Sequence, residues 1–215
     1  MNGRSVVLVN GLPGAGKTTL ARNLAAALGL PMFSKDEIKE THADVLGAHP
    51  TDGRPQRDWN RALGAAASET IWTLLGSAPR GAVCESHWPG STRLLVVTGL
   101  TRANAPKPIE VWCDVPLRVA RARYEDRAPE RHPIHGEQRD LDAEWATWAS
   151  DGLPLGLGPV LWVDTTVPVD VPRLAESVRA VYGEYGPPAG GGLSALTERT
   201  TELLRVTGPN GVTLT

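Results

Sequence analysis

Eight consecutive residues constrain this chain more than any others. Gly11-Leu12-Pro13-Gly14-Ala15-Gly16-Lys17-Thr18 fits the spacing G-x-x-x-x-G-K-[ST], the pattern of a loop that wraps a phosphate. The flanks agree with it. Val6-Val7-Leu8-Val9 is an apolar run short enough for a buried parallel strand, and Leu20, Ala21, Leu24, Ala25 and Leu28 recur on one helical face. Gly29 and Pro31 stop that helix. Glycines let the backbone curl so that several N–H groups point at one anion, and the helix start adds partial positive charge in the same direction. Gly11 to Thr19 is therefore expected to cradle a nucleoside triphosphate. Lys17 would reach its β- and γ-phosphates, and the Thr18 hydroxyl would serve Mg²⁺.

The remaining segments read as alternating strands and helices. Strands are expected at 30–33, 82–84, 109–113 and 159–163, and helices at 59–75, 91–103, from Asp114 onward, around 141–148, and after Asp170. That alternation requires a parallel sheet covered on both faces, an α/β fold. The 215 residues suffice for one such domain, expected over 1–183, with a linker and tail over 184–215. A helix over 193–204 and a turn at 208–211 are expected within that tail. A net charge of −2 gives no general pull toward nucleic acid or anionic membrane, and no apolar run approaches the roughly 20 residues of a membrane span. The N-terminal apolar run leads straight into the glycine loop, unlike a secretory leader. Cys84 and Cys113 fall inside expected buried strands and read as reduced core thiols. A cytoplasmic protein is expected.

Several residues could carry chemistry beside the loop. Asp36 stands just past the second strand, at the carboxyl edge where open α/β sheets bind ligands. It is expected to take a proton from an attacking hydroxyl, or else simply to cap a helix, as Ser34 also could. Lys35 and Lys39 are candidates for holding an anionic substrate. Glu85 ends the third strand, the usual place for an acidic residue that positions Mg²⁺; contact with substrate and a plain strand end are the alternatives. His87 is a candidate acceptor contact.

Arg118, Arg121, Arg123, Arg127 and Arg131 crowd one helix and the loop after it. Arg123, Arg127 and Arg131 would share a face if the helix continued that far. A guanidinium delivered to a transferring phosphoryl group can be worth about 10³–10⁵ in rate, against less than about 1 kcal/mol for a surface ion pair. Glu125, Asp126 and Glu130 are interleaved and could simply pair with these arginines. Arg127 and Arg131 are favoured as functional because a polar loop, expected as a lid over 127–140, begins there. The loop after the fifth strand, with Thr165, is expected near a nucleotide base. The spacing of Trp145 and Trp148 fits a buried helix face.

Taken together, Gly11–Thr19, Ser34-Lys35-Asp36, Cys84-Glu85-Ser86, Cys113-Asp114-Val115-Pro116 and the arginine-rich 123–135 segment resemble the small P-loop kinases labelled AAA-domain ATP-binding proteins. They are similar to the kinase domain of phage polynucleotide kinase and, more distantly, to zeta toxins, gluconate kinases and chloramphenicol phosphotransferase. The resemblance spans about residues 5 to 182. It implies a three-layer α/β/α fold with a five-stranded parallel sheet ordered 2-3-1-4-5 and an arginine-bearing lid, as in nucleoside monophosphate kinases. It implies ATP and Mg²⁺ as cofactors, Asp36 as general base, Arg123 among the nucleotide contacts and an arginine of 123–131 at the phosphoryl group. Glu85 stands where polynucleotide kinase carries aspartate. The second small domain of a ring-forming AAA motor is not expected.

The expected activity is ATP-dependent phosphorylation of a hydroxyl on a small molecule such as a nucleoside, sugar or antibiotic. A polynucleotide 5′-hydroxyl kinase is less favoured because the charge balance offers no broad basic surface. A nucleotide-dependent switch would use the tail as its partner surface.

Overall fold

A computed structural model describes residues 4–105, 107–135, 140–185 and 212–214. The chain runs β1 (Ser5–Gly11), α1 (Lys17–Leu28), β2 (Met32–Ser34), α2 (Lys35–Leu46), α3 (Gln56–Ser77), β3 (Gly81–Glu85), α4 (Arg93–Arg102), β4 (Ile109–Asp114), α5 (Leu117–Asp126), α6 (Leu141–Asp151), β5 (Val160–Asp164), α7 (Val171–Tyr185) and β6 (Val212–Leu214). The sheet order is β2-β3-β1-β4-β5-β6. The first five strands are parallel, in the order 2-3-1-4-5. β6 comes from the tail and pairs antiparallel with β5, an edge strand the sequence pattern did not announce. The expected tail helix and the turn at 208–211 lie outside the described residues, as does most of the expected linker.

β1 is central and buried along its whole length, and its alternation divides the core. Val7 and Val9 face a layer containing Leu20 and Leu24 of α1 and Leu174 and Val178 of α7. Val6 and Leu8 face Ile71, Trp72 and Leu75 of α3 and Val96 and Leu100 of α4. Complete burial of each such leucine or isoleucine stabilises the fold by roughly 1.5–3 kcal/mol. A parallel sheet covered this way brings every strand's carboxyl end to one edge, where the glycine loop begins.

Cys84 on β3 and Cys113 on β4 flank β1 and are free. Burial pushes each thiol up to about 12, so neither is a thiolate at neutral pH.

Local chemistry changes two expectations. The helix expected from Asp114 onward starts later, and Asp114 does not cap it. Its backbone ends β4, where its carbonyl accepts from Thr165 N at 3.0 Å. Pro116, whose φ is fixed by its ring, takes the N-cap position. On α5, Ala120 and Tyr124 are buried, while Leu117 is exposed. Finally, α5 stops at Asp126, so Arg123, Arg127 and Arg131 do not lie along one continuous helix; short 3₁₀ turns at 128–130 and 133–135 follow.

Candidate active site

The loop between β1 and α1 turns on two left-handed glycines, Gly14 at φ +81° and Gly16 at φ +80°. A Cβ on Gly14 would lie 2.0 Å from the Ala120 carbonyl oxygen, so α5 packs directly on the loop. Lys17 is buried and bends back so that its Nζ donates to Leu12 O at 2.9 Å. Ala15 N donates to the same carbonyl. Gly11, Leu12 and Ala15 are buried behind the loop, whereas Pro13, Gly14, Gly16, Lys17, Thr18 and Thr19 line an open cleft of about 710 Å³.

β2 delivers Ser34 and Asp36 to the facing wall of that cleft. Ser34 is the N-cap of α2, its Oγ accepting from Glu37 N at 3.5 Å, which leaves Asp36 in the first turn with no capping duty. The Ser34 hydroxyl also donates to Glu85 Oε2 at 2.7 Å. Glu85 is 2% exposed at the end of β3, and burial pushes its carboxyl up, against the opposing effect of Lys17 and the Ser34 bond. Asp36 is reached by solvent through the cleft mouth, yet protein crowds it from within. Crowding alone would raise its carboxyl, but His135, Lys17, Lys35 and Lys39 outweigh that and hold it below the usual carboxylate range. It is therefore an anion at neutral pH.

A second hollow of about 620 Å³ adjoins the cleft and shares Gly14, Gly16, Thr19 and Arg127 with it. Its far wall is the loop after β5, with Thr165, Val167 and Pro168. Arg123 donates through Nη1 to Thr165 O at 3.0 Å, tying α5 to that loop. A third chamber of about 890 Å³ opens on the other side and shares Lys35, Asp36, Lys39, His87 and Trp148 with the cleft. Its walls come from α3, α4 and α6, and it includes Trp72 and Trp88. Thus Asp36 stands where the glycine-loop cleft meets a separate chamber.

His87 sits at that junction. Its Nδ1 lies 3.0 Å from Gly11 O, and because a carbonyl only accepts, Nδ1 carries the proton. Burial and Lys17 push the ring down to about 4, so it is neutral. Its Nε2 is buried with no hydrogen-bond partner among the described residues.

The lid segment is held from two sides. Arg131 lies 4.0 Å from the Tyr124 ring centroid, and Tyr124 packs edge-on against Trp145 and Trp148 of α6. On the other side His132 Nε2 lies 3.0 Å from Asp44 Oδ1, and His135 Nε2 lies 3.0 Å from Glu40 Oε1, both on α2. Arg127 and Arg131 both line the cleft, although the helix does not carry them there together. Within the arginine-rich segment, Arg121 pairs with acids, lying 2.7 Å from both Glu125 and Asp142. The lid residues 136–139 lie outside the described residues.

Spacing rules could not find the Asn10–Glu110 pair behind the loop. Glu110 is 1% exposed on β4 and accepts from Asn10 Nδ2, Leu155 N and Gly156 N. Asn10 in turn accepts from Gly11 N and Trp88 N. The unit fixes the start of the glycine loop relative to the His87–Trp88 side of the chamber. A glutamate within an apolar strand was the only available signal.

Among the described residues no group of three or more His, Cys, Asp or Glu forms a metal cage. A hydroxyl on Thr18 and one buried carboxylate on Glu85 beside a phosphate cleft suit Mg²⁺, which keeps several waters and takes its other ligands from phosphates. No helix among the described residues is long and apolar enough to cross a membrane.

The model of a family described as AAA domain matches residues 6–148. A candidate kinase from Chloroflexus aurantiacus is 33% identical with a TM-score of 0.68, the match covering 84% of this chain and 99% of that one. A sugar kinase from Janibacter sp. is 16% identical, with a TM-score of 0.54 and coverage of 83% and 95%. Kti12 from Chaetomium thermophilum, in complex with ADP-AlF₃, is 16% identical, with a TM-score of 0.55 and coverage of 82% and 98%. The last two show likeness of fold alone. No curated protein matches the chain.

Proposed function

This chain belongs to the AAA domain family of small P-loop kinases, and on that premise we propose that it transfers the γ-phosphate of ATP to a hydroxyl of a small molecule. The observation that supports this most is the position of Asp36, an ionised carboxylate shared by the glycine-loop cleft and the separate chamber. The adenosine would occupy the hollow beside Thr165, with Arg123 bracing its wall, and the triphosphate would lie along residues 13–19. An acceptor in the chamber would present its hydroxyl to Asp36. The hydroxyl oxygen forms the new P–O bond, the bond to the β,γ-bridging oxygen breaks, ADP leaves, and the hydroxyl proton passes to Asp36.

Lys17 would release Leu12 O and turn to the phosphates, exchanging a hydrogen bond to a carbonyl for one to an anion. Mg²⁺ held by Thr18 and Glu85, through water at the glutamate, would supply charge neutralisation. Its arrival would favour the ionised form of Glu85. Arg127 and Arg131 would compensate charge on the transferred group, and the tethered lid would keep water from the site. His87 Nε2, neutral and bearing a lone pair, would accept from the acceptor, and Lys35 and Lys39 would attract it.

The test is incubation with labelled ATP, Mg²⁺ and a panel of hydroxyl compounds, with mass spectrometry of the products. A phosphorylated small molecule is expected. ATP binding with no product from any hydroxyl compound, accompanied by nucleotide-dependent capture of a protein partner, would favour a switch instead.

A further inference from the structure

We propose that the acceptor carries an oxyanion, a carboxylate or phosphate group separate from its reacting hydroxyl, and that Arg57 and Arg61 bind it. The inference rests on the kinase reading for the word acceptor, though not for the site itself. Arg57 and Arg61 are four residues apart in the first turns of α3 and both line the large chamber, so their guanidinium groups lie one helical turn apart on the same face. Lys35 and Lys39 show the same spacing on α2, which packs along α3, and they line the chamber too. Two helices thus present two cation pairs to one hollow.

Nearby counter-charges do not consume the arginines. Each lies 3.9 Å from the same single carboxylate, Asp58, with its own side chain 74% exposed; such pairs hold little. Arg121, outside the chamber, meets two carboxylates at 2.7 Å. Of the acids lining the chamber, Asp36 on α2 is the carboxylate assigned to the reacting hydroxyl, Glu69 on α3 pairs with Arg102, Asp140 Oδ1 accepts from Ala143 N as the cap of α6, and Glu144 is on α6. The α2–α3 side therefore presents Lys35, Lys39, Arg57 and Arg61 against Asp36 and the Arg102-bound Glu69. A planar guanidinium matches carboxylate and phosphate oxygens with paired donors. The tryptophans of the chamber offer the carbon body of such a molecule an apolar wall.

The test reads binding without transfer. The full chain is first saturated with Mg²⁺ and a non-hydrolysable ATP analogue, so that the glycine loop cannot itself take up the probe anions. Matched pairs are then titrated by calorimetry: ribose 5-phosphate against ribose, glycerate against glycerol, and adenosine 3′-phosphate against adenosine. The sugar phosphate and the hydroxy acid separate the two sources of the oxyanion, and the nucleotide pair tests for a nucleic-acid end. The charged member of at least one pair is expected to bind more than about tenfold tighter than its neutral mate. In the double variant Arg57→Gln/Arg61→Gln that preference should fall to within about threefold, and in Arg57→Lys/Arg61→Lys it should be partly kept. Both positions are exposed, so an unchanged thermal midpoint verifies the fold. Equal binding of charged and neutral mates, a preference that survives the glutamine variant, or no binding by any charged member each overturns the site. In a parallel transfer assay with ATP in place of the analogue, charged ligands that bind through the arginines and are never phosphorylated would contradict the kinase reading alone. Neutral acceptors phosphorylated equally by wild type and the glutamine variant would contradict the anion site alone.

Discussion

Asn10 and Glu110 are joined inside the sheet, Asn10 Nδ2 donating to Glu110 Oε1 at 2.9 Å between neighbouring strands β1 and β4. Oε1 also accepts from Leu155 N, and Oε2 from Gly156 N, each at 3.0 Å. Every contact therefore asks the side chain to accept. Glu110→Ala is expected to cost about 2–4 kcal/mol by orphaning buried donors. Glu110→Gln should recover little of it, because its amide would set N–H against N–H. Urea unfolding of both variants measures this, and a glutamine variant as stable as wild type would contradict the assignment.

His87 makes stability depend on pH. The ring is held down to about 4 in the folded protein, against an ordinary value of 6.5. Between those values the unfolded chain binds a proton that the folded chain refuses. The stabilisation is fully present above pH 6.5 and is lost as pH falls toward 4, at up to about 1.4 kcal/mol per pH unit. Glu85 and Glu110, pushed up by burial, contribute in the opposite sense. The difference in unfolding free energy between wild type and His87→Gln, followed from pH 7.5 to 4.5, isolates the histidine and should narrow toward acid.

Gly14 and Gly16 share a backbone conformation but not surroundings. A Cβ at Gly14 meets the Ala120 carbonyl at 2.0 Å, while one at Gly16 meets nothing within 4 Å. Gly16→Ala should suffer only the left-handed strain of about 1–2 kcal/mol. Gly14→Ala adds displacement of α5 and should lower the thermal midpoint clearly more. Equal midpoints would contradict the packing of the loop on α5.

Ile134 anchors the lid. It is fully buried with Ala43 of α2 and Leu63 of α3, with Trp59 packed alongside. Ile134→Ala should loosen the segment locally, speeding exchange of the His135 amide, which donates to His132 O, by about 10- to 100-fold. Phosphoryl transfer should slow while exchange from β1 stays nearly unchanged. Unaltered exchange at 135 would show that the lid is held otherwise.

How much of this the sequence disclosed depended on the range of the forces involved. The glycine loop between strand and helix, the α1 face from Leu20 to Leu28 and the apolar run Val6 to Val9 are local patterns, and the structure places them as expected. A helix start at Asp114 puts Pro116 inside the first turn, whereas Pro116 is itself the N-cap and the helix begins at Leu117. The chamber escaped because its walls come from α3, α4 and α6, which are separated in sequence and meet only through tertiary packing. Nothing in the local pattern marks Arg57 or Arg61, for the same reason. The His132–Asp44 and His135–Glu40 tethers span 88 and 95 residues, beyond any spacing rule. β6 is three residues long, too short for periodicity to mark.

The central claim is that Asp36 accepts the proton of a hydroxyl attacking a nucleotide held on the glycine loop. The direct measurement is the rate of γ-phosphate transfer by Asp36→Asn at saturating ATP, Mg²⁺ and acceptor, with ATP affinity measured on the same sample. Transfer is expected to fall by about 10²–10⁴ while affinity stays within about threefold, because residues 13–19 are untouched. Transfer at the wild-type rate would contradict the account.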